Sequence, residues 1–127
     1  MAQVEFADEI LQQLQERDPR YDARAYLLVL AALNLVMERL SERRHISGRE
    51  LVLGVRDVAI DRFGLMARPV LSYWGMHDTE DVGRIVFALV DCGVLVKQEG
   101  DRIEDFRNVY DFREVFEEAY PWGAHLN

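Results

Sequence analysis

Residues 25–37, Ala-Tyr-Leu-Leu-Val-Leu-Ala-Ala-Leu-Asn-Leu-Val-Met, are apolar at every position but Asn34. A helix built from them has almost no polar face to turn towards water, the pattern of an element at the buried centre of a domain. The run is too short to span a bilayer, which takes ~20 apolar residues. Asp22 supplies a helix N-cap just ahead of it, and the pattern turns polar only from Glu38. The spacing therefore predicts a central helix from Asp22 to about Leu40 or Arg43.

The flanking segments read as shorter amphipathic helices. Residues 3–16 repeat Phe6, Ala7, Ile10, Leu11 and Leu14 at three- and four-residue intervals. Asp18-Pro19 ends that helix, because proline disfavours helical backbone in the residue before it. Ser47-Gly48-Arg49-Glu50 has the form of a capping box with Ile46 as its staple residue. It opens a helix through Leu51, Val52, Val55, Val58, Ala59 and Phe63, closed at Gly64. A short helix over 66–74 follows, with Pro69 in its first turn. Asp78 or Thr79 then caps a helix running to Cys92, its first turn made acidic by Glu80 and Asp81.

After Gly93 the character changes. Residues 94–98 are β-branched and aliphatic, Glu99-Gly100-Asp101 is a turn signal, and 106–112 reads as a returning strand. Asp111 caps a last short helix over 113–120 before Pro121, and 121–127 reads as a loose tail. The expected fold class is mainly α (α+β). It has five to six helices and a C-terminal two-stranded hairpin in one domain spanning 1–127. The domain divides into a helical part (1–64), a winged-helix-like part (65–120) and the tail.

Charge is distributed unevenly over these parts. Residues 1–75 hold 10 Arg against 11 acidic side chains, whereas residues 76–127 hold 5 basic against 12 acidic. A short helix, a turn, a second helix and a hairpin form the order of a winged helix, a shape associated with DNA. A DNA reader needs Arg, Lys, Asn or Gln on its exposed recognition face. This one offers Glu80, Asp81, Arg84 and Asp91, and its wing offers Glu99, Asp101, Arg102, Glu104 and Asp105. Such a surface repels phosphates rather than releasing their counterions. The basic cluster Arg39, Arg43, Arg44 and Arg49 is the alternative anion or nucleic-acid surface. Interleaved Glu38, Glu42 and Glu50 favour reading it as a solvated helix end.

No motif for catalysis or cofactor binding stands out. Phosphate-cradling glycine loops are absent, and His45, His77, His125 and the single Cys92 show no metal-ligand spacing. The acidic loop 99–105 lacks the alternating carboxylates of a calcium loop. No catalytic, cofactor-binding or metal residue is therefore expected. Arg20-Tyr21-Asp22 with Arg24 and Tyr26 lies at a helix start, where an anion would find N–H groups, but a capped turn is the simpler reading. Tyr73-Trp74-Gly75-Met76 has the aromatic and Met content of interface centres and of small cores alike. The N-terminus shows no signal-peptide pattern, so the chain reads as cytoplasmic.

Residues 18–22 (Asp-Pro-Arg-Tyr-Asp), 44–50 (Arg-His-Ile-Ser-Gly-Arg-Glu), 73–75 (Tyr-Trp-Gly), 81–90 (Asp-Val-Gly-Arg-Ile-Val-Phe-Ala-Leu-Val) and 110–112 (Tyr-Asp-Phe) carry a resemblance. Over nearly the whole chain it resembles a family of hypothetical bacterial proteins restricted to Verrucomicrobia and Planctomycetes. The resemblance implies a single domain and no particular activity, cofactor or site residue. The functional expectation is a small non-enzymatic interaction or adaptor module whose acidic C-terminal half docks a basic partner. Its candidate surface comprises Tyr73, Trp74, Asp78, Glu80, Asp81, Glu99, Asp101, Glu104 and Asp105. The alternative is a winged-helix nucleic-acid-binding regulator using the Arg39–Arg49 cluster.

Overall fold

The central apolar run folds as expected into a helix, α2 (Ala23–Arg39), capped by the Asp22 carboxylate accepting from the Arg24 N–H. The computed structural model describes residues 2–96, 100 and 102–118. Before α2 comes α1 (Ala2–Arg17). After it come α3 (Gly48–Phe63), a 3-10 turn (Gly64–Met66), α4 (Ala67–Tyr73) and α5 (Thr79–Asp91). No described helix is long and apolar enough to cross a membrane.

Helix α2 buries Ala25, Tyr26, Leu28, Val29, Ala32 and Val36. Its closest neighbour is α3, and the approach depends on Gly54: a Cβ there would lie 2.5 Å from the Val36 side chain and 3.3 Å from the Ala32 carbonyl. Helix α3 starts at the predicted capping box, with Ser47 Oγ accepting from Glu50 N–H and the Glu50 carboxylate accepting from Ser47 N–H. Helix α5 covers α2 and α3 with Val82, Ile85, Ala88 and Leu89. Gly75 turns the chain from α4 towards α5 at φ +94°, with the Arg20 carbonyl 2.1 Å from where a Cβ would stand. Only glycine fits that approach.

The hairpin and the winged-helix-like half do not form. The described residues contain no strand. Residues 103–106 make a 3-10 turn (Ile103–Phe106), and residues 114–118 a single π-helical turn (Glu114–Glu118). The reason lies in where the backbone groups find partners. At the expected first strand, the Val94 and Leu95 N–H groups fold back onto the Leu89 carbonyl at 2.9 and 3.3 Å, finishing α5. At the expected second strand, the buried Thr79 hydroxyl donates to the Phe106 carbonyl at 2.5 Å and accepts from Val109 N–H at 3.2 Å. Thr79 thus takes two groups that a ladder would have paired. Phe106 drops into a notch between two glycines: a Cβ on Gly83 would come within 2.7 Å of its ring, and one on Gly48 within 3.0 Å. Helical turns therefore replace the wing, and the fold is all-helical among the described residues. Residues 97–99, 101 and 119–127, including the expected turn and tail, lie outside them.

Candidate functional site

At the start of α5 the acidic residues expected to form a surface divide into two kinds. Asp78 is the N-cap: its carboxylate accepts from Asp81 N–H at 2.9 Å, and its side chain stays largely exposed. Asp81 faces inward and is buried. It accepts from the Tyr21 hydroxyl, from Arg84 at 2.7 Å and from His77 N–H at 2.8 Å. Burial pushes the Asp81 carboxyl up, but the bonds from Tyr21, His77, Asp78 and Arg84 outweigh it and hold the group below the usual Asp range. Tyr21 shifts upward through burial and its bond to that carboxylate. Glu80 pairs with Arg84 at 2.7 Å and with Arg107, and the Arg107 bond is the main cause of its lowered pKa.

The other expected members are equally mixed. Tyr73 is 80% exposed, whereas Trp74 is 8% exposed, edge-on to Phe63 at 5.4 Å and beneath the Arg24 guanidinium. Trp74 and Asp81 are thus part of the interior rather than of a docking surface, because the fold closes around both. Glu104 and Asp105 are exposed on the 3-10 turn, where Asp105 accepts from Arg102 N–H. Glu99 and Asp101 lie outside the described residues.

The basic cluster is partly neutralised in place. Arg39 reaches Asp57 at 2.8 Å, and Arg44 holds Glu50 through two bonds of 2.9 and 2.7 Å. The Arg44 guanidinium, with Ser47 N–H, brings the Glu50 pKa down to about 2. Arg43 and Arg49 are exposed and reach no carboxylate at ion-pair distance among the described residues. Nine of the chain's 14 arginines lie within 4 Å of a described carboxylate.

Two depressions flank the Ile103–Phe106 turn. The first is a cleft of about 660 Å³ lined by Asp78, Glu80, Asp111, Glu114 and Arg107 together with Tyr110 and Phe112. The last two rings stack at 5.8 Å, and the Tyr110 hydroxyl donates to the Val52 carbonyl at 3.0 Å, which fixes them against α3. The second is a groove of about 750 Å³ between the end of α2, the 40–47 loop and α5. Its walls are apolar, with Leu33, Met37, Val86, Phe87, Val90 and Val96 among them. Sequence reasoning missed this groove. The signal was present in α2, whose apolar surface exceeds one buried stripe and leaves Met37 47% exposed. Among the described residues no three metal-ligating side chains come together, and His45, His77 and Cys92 belong to different parts of the fold. No family model, curated protein or solved structure matches the chain.

Proposed function

We propose that this protein is a non-enzymatic interaction module that docks a basic segment of a partner protein in the acidic cleft at the start of α5. One observation carries the reading. Among the described residues, Asp78, Glu80, Asp111 and Glu114 line a single concavity with one arginine, Arg107, and that guanidinium is already tied to Glu80. An arginine or lysine entering there gains charge-assisted hydrogen bonds from carboxylates held in place by helix caps and an ion pair. Tyr110 and Phe112, packed into the interior behind these carboxylates, form the floor of the cleft.

The test is fluorescence anisotropy with a labelled Arg-rich synthetic peptide. Binding is expected, weakening as salt rises. The double variant Asp78→Asn, Glu114→Gln is expected to weaken it about tenfold. Asparagine is as good an N-cap as aspartate, so the α5 start survives the change. Unchanged affinity in that variant would overturn the proposal. The nucleic-acid alternative has less support, because Arg39 and Arg44 are each held by a carboxylate.

A further inference from the structure

We infer that the 40–47 loop is the chain's cleavage site for an arginine-directed endopeptidase, with the Arg43–Arg44 bond cut first and the two pieces staying folded together. The inference is independent of the cleft reading, because every residue lining that cleft lies in the piece 44–127. Helix α2 ends at Arg39 and α3 begins at Gly48, so the eight residues between them carry no helix. Residues 41–45 are all exposed, and the loop is extended at both ends, with ψ 137° at Leu40 and 159° at Ser47. Exposed, extended backbone is what an endopeptidase engages, whereas a helix has to unwind first.

The surroundings of each arginine decide which bond is cut. Five of the chain's 14 arginines stand outside helices: Arg20, Arg43, Arg44, Arg102 and Arg107. Arg20 is held by two bonds to Asp18, and the next residue, Tyr21, is buried. Arg107 is tied to Glu80, and Thr79 holds the backbone on either side of it at Phe106 and Val109. Arg102 gives its N–H to Asp105, and its sequence neighbours Asp101 and Glu104 set up a negative field that an arginine-binding, anionic pocket is repelled by. Arg44 is held by Glu50 through bonds of 2.9 and 2.7 Å. Arg43 alone of the five combines an exposed, extended backbone with a guanidinium that meets no described carboxylate.

Hydrolysis there adds one water across the amide, leaving a carboxylate on Arg43 and an α-amine on Arg44. Contacts across the cut hold the pieces. The Tyr21 hydroxyl donates to Asp81, Asp22 N–H donates to the Trp74 carbonyl at 3.1 Å, and Arg39 pairs with Asp57 at 2.8 Å. Parting them would also expose Tyr26, Leu28, Val29 and Val36 of α2, all buried in the intact fold.

The test is brief digestion of the full chain in native buffer with an arginine-specific endopeptidase, read by mass spectrometry and size-exclusion chromatography. The first products should be 1–43 and 44–127, eluting together where the intact chain elutes. Arg43→Gln should move the cut to the Arg44–His45 bond and slow it about two- to fivefold, the worth of an exposed ion pair. Adding Glu50→Gln, which keeps the capping box, should recover most of the lost rate. Arg43→Gln with Arg44→Gln should remove the early cut altogether. A first cut at any other arginine, or a chain that stays whole until it unfolds globally, overturns the site. Pieces that separate on the column overturn the two-piece assembly.

Discussion

Asp81 is a buried carboxylate of α5 that ties the α1–α2 turn to that helix, accepting from Tyr21 on one side and from Arg84 on the other. Its pKa is lower in the folded chain than in the unfolded one. Stability from this group is therefore fully present above the ordinary Asp value and is lost as pH falls through the folded value. Urea midpoints measured from pH 6 downward should fall in acid, and Asp81→Asn should flatten that slope while costing about 2 kcal/mol at neutral pH. A matched pair of tyrosine variants separates bond from burial. Tyr21→Phe removes the hydroxyl that Asp81 accepts from and should cost ~1–2 kcal/mol. Tyr26 is fully buried with no hydrogen-bond partner for its hydroxyl among the described residues, and burial has pushed its pKa up to about 12. Tyr26→Phe should be neutral or stabilising by up to about 1 kcal/mol, read from the same urea transitions.

At the scale of elements, the Ile103–Phe106 turn works as a wedge, with Phe106 set between α3 and α5 where Gly48 and Gly83 leave room. Gly83→Ala would bring a methyl within 2.8 Å of both Phe106 and Ile103. Overpacking of that kind costs ~1–3 kcal/mol, and here it should act by lifting the wedge. Amide exchange at residues 103–110 should accelerate far more than exchange in α2, and uniform acceleration would show that the wedge is not a separate unit. The helices themselves were legible in the sequence because their signals are local. Asp22, Ser47 and Asp78 cap where their side chains predict, and Gly64 and Gly75 close or turn at positive φ. The wing was not legible. Its β-branched and aliphatic residues suit a strand, and the competing partner for its backbone, Thr79, stands 27 residues before Phe106. No period in 94–112 reveals that Thr79 will take those groups.

For the whole molecule, excess negative charge and the pairing of its arginines decide which polymers it meets. The formal charge is −8, with the excess concentrated in residues 76–127. That imbalance was readable from composition alone, but which carboxylates remain available was not: Asp81 and Glu80 are engaged internally, whereas Asp111 and Glu114 come to line one cleft with Asp78 only through the fold. Binding to a duplex requires several cations free to displace counterions, since the salt slope grows with each phosphate neutralised. Only part of the Arg39–Arg49 cluster is free in this sense, namely Arg43 and Arg49, and two phosphate contacts hold little against a net negative field. A gel shift with random duplex at low ionic strength should therefore show no retarded band. Arg43→Glu with Arg49→Glu should leave that result unchanged. A retarded band that the double variant removes would return the cluster to the role of a nucleic-acid surface. It would also mean that local positive charge outweighs the field of the whole chain.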